Sequence, residues 1–556
     1  MTLTTGVTDP DVTLDQPLRH TAGEALVDGL LDHGVDTVFG IPGVQTYELF
    51  EALGQASDRI ELIGARHEQA CAYMALGYAQ STGRLGVCTV VPGPGVLNAS
   101  SGLLTARGTS TPVLCLTSEI PTAFMGKDFG HLHEMPDQLA TLRTIVKSAT
   151  NVLHPADAKP ALAQAIHDAF AGRPGPTAVA TPWDVLTQDA PVTPVAPISV
   201  RRPDVDLAVV DDAIALIRSA RNPLILVGGG ARHASTEIRT LAAALQAPVV
   251  TNRSGKGIVA EDSPFGFNCA DGYDLWADTD LIITIGTRAE LLWFRWPAKP
   301  GVAAISIDID PTAHARVHST VAITADSRDA VDALVRQLTV APVETVCRES
   351  EFTRIKREKQ TEMDAWLQPH RDHLAAIRRA LPRDGFFVDE VSQIGFSSYF
   401  SFPVDEPRQF ITCGHQGNLG YGFPTALGVK AAHRDSDVVS VTGDGGFQFG
   451  IQELATAVQH RLGVVVVVFD NGAYGNVKAD QTLTYDNTVG STLHNPDFVA
   501  LARAYGAHAD SVTTSDGLER AVRDAIGRDL PTVLVVPMPL STEVSPWRYL
   551  TPEAGR

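Results

Sequence analysis

The chain has 556 residues, which is more than a single hydrophobic core usually takes, so two to four domains are expected. Its composition, 44% hydrophobic and 19% charged, is that of an ordinary globular protein. A formal net charge of −20 argues against nucleic acid or an anionic membrane surface as a partner. The longest apolar runs have only the length of a strand, so no transmembrane helix is predicted.

The N-terminal residues and the cysteines predict a cytoplasmic protein. Residues 1–17 are polar, acidic and rich in Thr, without the basic start and apolar core of a signal peptide, and are expected to form a disordered tail. The 6 cysteines are scattered without CxxC spacing. That distribution is typical of reduced thiols and argues against a zinc site.

Three α/β domains are predicted, at residues 18–190, 200–340 and 360–545, followed by a tail at 546–556. In each of them short apolar strands alternate with helical segments, which indicates a parallel, doubly wound sheet. A linker separates the first two domains and carries prolines at positions 191, 194, 197 and 203.

The central domain contains a glycine turn, residues 228–230, directly after an apolar strand. The turn resembles the start of a dinucleotide-binding loop, but His233 stands where GxGxxG requires its third glycine. A nicotinamide or flavin oxidoreductase is therefore a weak alternative for the function of the chain.

The third domain contains the most informative stretch, in which two strands each end in a polar turn. The first strand runs into Gly-Asp-Gly-Gly, residues 443–446, and then into one predicted helix, whose start would suit a phosphate group. The next strand ends in the turn Asp-Asn-Gly at 470–472. Because both turns fall at the carboxyl edge of a parallel sheet, Asp444 and Asn471 should face one another. Their oxygens suit Mg²⁺ on a diphosphate, although Gly-Asp-Gly alone is more often an ordinary turn.

These residues resemble the signature of the thiamine diphosphate enzymes: Asn471 follows Asp444 by 27 positions, and Ala473 lies just beyond it. The resemblance implies that Asp444, Asn471 and the carbonyl group of Ala473 hold Mg²⁺ against the cofactor. It extends over nearly the whole chain. It therefore also implies that the three domains are of the pyrimidine-binding, central and diphosphate-binding types.

The resemblance further implies how the rest of the cofactor is held. In the segment 414–424, GHQGNLGYGFP, the carbonyl of Gly417 would accept a hydrogen bond from the 4′-amino group. Leu419 would wedge between the two rings, with simple core packing as the alternative. Ser392 and Gln393 stand where relatives contact the diphosphate. The other implied cofactor contacts are Gly443, Gly445, Gly446, Tyr474, Gly475 and Asn476.

Glu68 is the candidate catalytic acid of the first domain. A Glu in the first turn of a helix is usually a solvent-exposed partner of the helix dipole. However, FGIPG followed by RHEQ and PGPGVLN resembles the pyrimidine-binding domain of acetolactate synthase and its relatives. There the Glu donates a proton to N1′ of the aminopyrimidine, which activates the thiazolium carbon.

The substrate side of the site departs from the acetolactate synthases. These enzymes have a Phe-Gln pair where this sequence has His133 and Glu134. The segment LHE with a following Asp-Gln, and FGIPGV with ELF, instead resemble 5-guanidino-2-oxopentanoate decarboxylase. Gln45, His133 and Glu134 are therefore candidate catalytic residues beside the substrate, with a surface loop histidine as the alternative for His133.

The leading function is decarboxylation of a small 2-oxo acid with transfer of the activated aldehyde to a second carbonyl, as in acetolactate synthase. A simple decarboxylase that releases an aldehyde is the alternative, and an inactive regulatory relative is a remote one. Thiamine diphosphate and Mg²⁺ are the implied cofactors. FAD is not expected, because residues 288–296 are not the acidic, polar segment of FAD-binding synthases. A homodimer or homotetramer with active sites between subunits is implied.

Overall fold

The computed structural model describes residues 19–192, 194–542 and 544–550. It contains three six-stranded sheets in which all neighbouring strands run parallel. Each sheet lies within one of the three predicted domains. The predicted α/β class, with three doubly wound parallel sheets, is confirmed, whereas the predicted tail at 1–17 lies outside the described residues.

The first domain begins with a strand that pairs antiparallel with its last strand and ties its two ends together. Its strands are β1 (Arg19–Thr21), β2 (Thr37–Gly40), β3 (Glu61–Gly64), β4 (Gly86–Val90), β5 (Val113–Glu119), β6 (Ser148–Asn151), β7 (Thr177–Pro182) and β8 (Asp189–Pro191). Its helices are α1 (Ala22–Asp32), α2 (Tyr47–Gln55), α3 (Glu68–Thr82), α4 (Pro94–Gly108), α5 (Gln138–Ile145), α6 (Ala158–Phe170) and α7 (Trp183–Leu186).

The central domain is joined to the third by a long charged helix. Its strands are β9 (Pro223–Val227), β10 (Val249–Thr251), β11 (Gly266–Phe267), β12 (Leu281–Ile285), β13 (Ala303–Asp308) and β14 (Val321–Thr324). Its helices are α8 (Leu207–Ser219), α9 (Ser235–Leu245), α10 (Cys269–Trp276) and α11 (Ser327–Val340), and the joining helix is α12 (Glu349–Trp366).

The third domain repeats the architecture of the first. Its strands are β15 (Phe386–Val388), β16 (Phe410–Ile411), β17 (Val438–Gly443), β18 (Val464–Asp470), β19 (His508–Ser511) and β20 (Thr532–Pro537). Its helices are α13 (His370–Ala380), α14 (Gln393–Ser401), α15 (Gly422–Ala432), α16 (Asp444–Gln448), α17 (Leu454–Gln459), α18 (Gly475–Tyr485), α19 (Phe498–Ala504), α20 (Ser515–Ala525) and α21 (Trp547–Leu550).

The first and third sheets have the same strand order, β3-β2-β4-β5-β7-β6 and β16-β15-β17-β18-β20-β19. In open parallel sheets a ligand binds at the carboxyl edge where the strand order reverses. In the third sheet that point lies between β15 and β17, so the turns that follow these two strands lie side by side. The central sheet has the order β11-β10-β9-β12-β13-β14, which is common among dinucleotide-binding folds.

The first and third domains pack together through α3 and α15, which both consist largely of small, buried residues. A Cβ atom on Gly77 would lie 2.1 Å from the carbonyl oxygen of Thr425, and one on Gly428 would lie 1.9 Å from that of Met74. Only glycine permits such a close approach of two backbones. One continuous hydrophobic core therefore extends across both domains.

Two features differ from the sequence-based expectation. The single helix expected after residue 446 is divided into α16, a 3-10 turn (Ile451–Glu453) and α17. Three glycines between positions 445 and 450 lower the helix propensity of this segment, although Phe447 and Leu454 of its apolar face are buried. The predicted end of the third domain, residue 545, comes just before α21, whose Tyr549 is 4% exposed.

Candidate active site at the carboxyl edge of the third sheet

The two polar turns of the third domain are in direct contact. Asp444 begins α16 directly after β17, and Asn471 directly follows the neighbouring strand β18. The Asp444 carboxylate accepts a hydrogen bond from the backbone N–H of Gly472 at 2.9 Å. The N–H of Ala473 donates to the Asn471 side-chain oxygen, also at 2.9 Å. The structure thus brings together the three residues that the sequence predicts as metal ligands.

Two further residues belong to this cluster and were not predicted. The Asn495 amide donates to a carboxylate oxygen of Asp444 at 2.6 Å and to one of Asp470 at 2.7 Å. It therefore bridges two acidic side chains from neighbouring turns. Asn495 lies in a loop far along the chain, without a spacing rule or motif that connects it to Asp444.

The side-chain and carbonyl oxygens of this cluster are of the kind that suits a Mg²⁺ ion. Burial raises the pKa of Asp444, and the charge of Asp470 raises it further, so the ionised carboxylate gains from a nearby cation. No Lys or Arg forms a salt bridge with Asp444 within the described ranges. The same ranges contain no cluster of three or more His, Cys, Asp or Glu side chains suited to a metal. A metal here would depend on a mixed set of carboxylate, amide and carbonyl oxygens.

The glycines of the first turn lie against two neighbouring side chains. Gly443 caps α16, and a Cβ atom on Gly445 would lie 2.6 Å from the ring of Tyr474. A Cβ atom on Gly446 would lie 3.2 Å from Cγ of Glu390. Substitution of Gly445 would therefore displace Tyr474. A side chain at position 446 would lie in tight contact with Glu390.

Gly475 and Asn476 begin α18, which is tied to the C-terminal helix. The Asn476 side-chain oxygen accepts a hydrogen bond from the Trp547 indole N–H at 2.8 Å, and its amide contacts Asp480 at 3.4 Å. The two predicted cofactor contacts therefore start a helix that α21 holds in place.

The turn after β15 carries Ser392 and Gln393 next to the Gly443 turn. The Ser392 hydroxyl accepts from the backbone N–H of Gly395 at 3.2 Å and caps α14. Gln393 is buried, and its side-chain oxygen has no hydrogen-bond partner among the described residues. A buried acceptor without a partner suits a donor on a bound ligand or water.

The segment that contains Gly417 and Leu419 lies beside the turn after β15 and the turn at residues 443–446. Gly417 has a left-handed backbone, with φ 57°, and is exposed. A Cβ atom on Gly420 would lie 2.3 Å from Cβ of Phe449, which holds the segment against the end of α16. Leu419 is only half-buried and belongs to none of the hydrophobic clusters in the described chain. Core packing therefore does not account for Leu419.

Glu68 is the first residue of α3 in the first domain. Its carboxylate accepts a hydrogen bond from the Asn98 amide at 3.0 Å, within the first domain. The adjacent Arg66 N–H donates to Glu453 at 3.1 Å, so the start of α3 meets the segment before α17 of the same chain. Within the described ranges, no hydrogen bond or salt bridge joins Glu68 to the turns of Asp444 and Asn471 or to Leu419.

Gln45, His133 and Glu134 come together at the carboxyl edge of the first sheet. The Gln45 amide nitrogen donates to the carbonyl of Leu132 at 2.9 Å, which directs its oxygen towards Nδ1 of His133, 3.2 Å away. Nδ1 must then carry the proton, so Nε2 of neutral His133 is an acceptor. Burial lowers the pKa of His133, and His131 adds to the effect, so the ring is neutral at pH 7.

Glu134 and Gly93 shape the same loop. The Glu134 carboxylate accepts from the backbone N–H of His131 at 2.8 Å, and this hydrogen bond lowers its pKa. A Cβ atom on Gly93 would lie 2.4 Å from the His133 carbonyl oxygen, and Gly93 has φ 60°. Both contacts fix the position of His133. The Glu134 carboxylate forms its hydrogen bond within its own loop.

A cavity of about 590 Å³ lies between the three domains, and none of the predicted site residues lines it. Its walls include the glycine turn after β9 and several arginines, among them Arg232, Arg288 and Arg408. Burial lowers the pKa of Arg232 to about 9, and neighbouring Arg408 lowers it further. Such a cavity suits an anionic ligand.

Comparisons with known proteins decide what this site belongs to. Family models of thiamine pyrophosphate enzymes match at residues 20–141 (N-terminal TPP binding domain), 210–334 (central domain) and 391–536 (C-terminal TPP binding domain). A probable 2-ketoarginine decarboxylase, AruI, of Pseudomonas aeruginosa is 33% identical over 92% of this chain and 93% of its own length. The chain belongs to the thiamine pyrophosphate enzymes.

Other relatives of this thiamine pyrophosphate enzyme are acetolactate synthases. The large subunit from Haemophilus influenzae is 32% identical, and isozyme 3 from Escherichia coli is 30% identical; in both cases 91% of this chain and 92% of the relative are covered. The resemblance to the acetolactate synthase large subunit, with thiamine diphosphate as cofactor, is confirmed. The matches do not support the oxidoreductase alternative. No helix among the described residues is long and apolar enough to cross a membrane.

Proposed function

We propose that this enzyme uses thiamine diphosphate and Mg²⁺ to decarboxylate a 2-oxo acid and transfer the activated aldehyde to a second carbonyl, like an acetolactate synthase. The observation that carries the proposal is the contact between the Asp444 and Asn471 turns, which follow the neighbouring strands β17 and β18 at the carboxyl edge of the third sheet, next to the point where the strand order reverses. The acetolactate synthases among its relatives support the choice of reaction.

In this proposal the residues of the site have separate roles. When bound, thiamine diphosphate supplies the nucleophilic carbon and the electron sink through which a 2-oxo acid loses CO₂. Asp444, Asn471 and the Ala473 carbonyl hold Mg²⁺ on the diphosphate, beside the turns of residues 392–393 and 443–446. Leu419 and the Gly417 carbonyl orient the rings, and Glu68 exchanges a proton at N1′.

A second copy of the chain completes the site in this proposal. Glu68 bonds to Asn98 in the first domain, while the turns of Asp444 and Asn471 belong to the third domain and have no hydrogen bond to Glu68 among the described residues. The exposed Leu97 and Leu104, seven positions apart on α4, offer an apolar face close in sequence to Asn98. We therefore propose a homodimer, or a homotetramer built from it, in which Glu68 of each copy serves the cofactor held by the other.

The proposal is tested by measuring CO₂ release from a panel of 2-oxo acids with thiamine diphosphate and Mg²⁺, followed by analysis of the products. The expected result is cofactor-dependent CO₂ release with acyloin or acetohydroxy acid as the main product. If no 2-oxo acid of the panel releases CO₂, or if turnover does not need the cofactor, the proposal is wrong.

Release of an aldehyde is a second candidate outcome, favoured by the environment of His133. Its imidazole is held beside Gln45 by a hydrogen bond of 3.2 Å, in a loop where acetolactate synthases have a neutral glutamine. The similarity to the probable 2-ketoarginine decarboxylase also favours release of an aldehyde. Protonated His133 could deliver a proton to the carbon that has lost CO₂, and the reaction would then end as an aldehyde.

We predict that His133→Gln raises the ratio of carboligation to aldehyde release, with cofactor affinity changed little. Because the pKa of His133 is lowered from its ordinary value of about 6.5, the parent enzyme should release more aldehyde as the pH falls below 6.5. Product ratios at two pH values measure both effects. An unchanged ratio in the variant, or a parent ratio independent of pH, would show that His133 is a structural loop residue.

FAD is not expected to bind, although the arginine-lined cavity would suit the phosphates of a dinucleotide. The expectation rests on residues 288–296, which contain the exposed Trp293 and Phe294 in place of a polar segment. A protein purified without added flavin should show no flavin absorbance after denaturation, and a flavin spectrum would contradict the prediction. A cytoplasmic location, with no nucleic-acid partner, also remains part of the proposal.

A further inference from the structure

Glu390, a residue with no role in the proposed function, is buried between three segments of the site. It follows β15 and is 1% exposed. One carboxylate oxygen accepts from the N–H of Gly422 at 3.0 Å, and the other accepts from the N–H of Val391 at 3.0 Å. The backbone N–H of Gly420 also favours the ionised carboxylate and lowers the pKa of Glu390. One side chain thus connects the turn after β15 with the backbone that directly follows Leu419.

The surrounding glycines leave this carboxylate little freedom to move. A Cβ atom on Gly422 would lie 3.1 Å from the Glu390 carboxylate, and one on Gly446 would lie 3.2 Å from its Cγ. A Cβ atom on Gly395 would lie 1.8 Å from the Glu390 carbonyl oxygen. Three elements are therefore packed directly around Glu390, and Gly446 belongs to the turn that carries Asp444.

No cation forms a salt bridge with Glu390 within the described ranges, and its hydrogen-bond donors are backbone N–H groups. Burial raises the pKa of Glu390 to about 7. The titratable groups that sense its charge are Asp389, Tyr73 and Cys413, each of whose pKa it raises. Since all three are neutral or like-charged, the backbone N–H groups are what stabilises the ionised form.

We propose that Glu390 is a positioning residue whose ionised carboxylate holds the backbone at Gly420 and Gly422, and so sets Leu419 against the turn at 443–446. The inference rests on the proposed placement of the cofactor at these segments. A protonated Glu390 has one acceptor oxygen fewer and directs an O–H towards N–H donors. The positioning contact is then lost, and the affinity for the cofactor falls.

The direction of the pH effect follows from the raised pKa. Glu390 is mostly ionised at pH 8 and mostly protonated at pH 6, so cofactor affinity should fall as the pH falls through about 7. Stability of the apo protein has the opposite dependence: the raised pKa stabilises the fold at low pH, and this contribution is lost as the pH rises through about 7. Removal of the charge is therefore not expected to unfold the protein at pH 8.

The test compares the dissociation constant of thiamine diphosphate, at saturating Mg²⁺, for the parent and Glu390→Gln by calorimetry at pH 6 and pH 8. Loss of hydrogen bonds to a charged group corresponds to about a 10-fold or greater loss of affinity at pH 8. At pH 6 the two proteins should differ by less than about 3-fold, since the parent is then largely protonated. Glu390→Asp keeps a titrating group, but its side chain is too short to reach both glycines. This variant should therefore also bind thiamine diphosphate more weakly than the parent at pH 8, and the difference in affinity should become smaller at pH 6.

Asp271→Asn is the matched control, because Asp271 is also buried and burial raises its pKa to about 7, but it lies in the central domain. The affinity of Asp271→Asn for thiamine diphosphate should equal that of the parent at both pH values. Equal affinity of Glu390→Gln and the parent at pH 8 would overturn the proposal, as would the same loss at both pH values, which a merely structural role would give. If Glu390→Gln does not fold, the same comparison with Glu390→Asp decides. The readout is binding, so failure to turn over 2-oxo acids would leave this test intact.

Discussion

Glu68→Gln is expected to bind thiamine diphosphate normally and to lose most of its turnover. The amide keeps the size of the side chain and its contact with Asn98, but it cannot exchange a proton at N1′. A general acid–base group contributes roughly 10²–10⁴-fold, which sets the expected loss of kcat. Steady-state CO₂ release and calorimetry of cofactor binding measure the two quantities separately.

Glu51→Gln serves as the control for this substitution. Glu51 is an exposed acid on α2 of the same domain, and its variant should have the kcat of the parent. Near-normal turnover of Glu68→Gln with every 2-oxo acid that the parent uses would remove Glu68 from the proposed mechanism. A loss of cofactor binding without an effect on kcat at saturation would have the same consequence.

Asp444→Ala is expected to abolish binding of Mg²⁺ and, with it, of thiamine diphosphate. Asp444 is 2% exposed, and the neighbouring Asp470 is already bridged to it by Asn495. Mutation of a residue that only hydrogen-bonds to a metal ligand usually lowers the metal affinity about 10–100-fold. Loss of the carboxylate itself should therefore lower the affinity for Mg²⁺ by more than about 100-fold. Calorimetry with and without EDTA measures the effect.

Asn471→Ala should weaken binding less, because an amide oxygen is a poorer ligand for Mg²⁺ than a carboxylate. Asp435→Ala, which removes an exposed carboxylate from the same domain, should change nothing. Circular dichroism and thermal melting show whether each variant is folded. An Asp444→Ala enzyme that binds the cofactor as the parent does, irrespective of EDTA, would contradict the metal site.

The contact between the two polar turns could be predicted from the sequence because it follows a topological rule. Parallel strands end at one edge, so Asp444 and Asn471 are placed together once β17 and β18 are recognised as neighbours. The fold class followed from the same alternation of strands and helices. The roles of Glu68, Leu419 and His133 came instead from resemblance to a family, since a single Glu, Leu or His carries no such rule.

What could not be predicted depends on contacts between distant parts of the chain. Asn495 reaches Asp444 across 51 residues, and Glu390 reaches Gly422 across 32. Neither pair has a characteristic spacing. The break between α16 and α17 was also missed, because hydrophobic periodicity continues through it and only the glycines weaken the helix.

The most direct test of the account combines two inactive chains. Glu68→Gln and Asp444→Ala are co-produced, and CO₂ release from a 2-oxo acid is measured in the mixture. If Glu68 of one copy serves the metal site of the other, each mixed dimer contains one intact site, and random pairing restores roughly a quarter of the parent activity. Activity no higher than that of the two variants alone, in mixed dimers shown to have formed, would contradict the shared site.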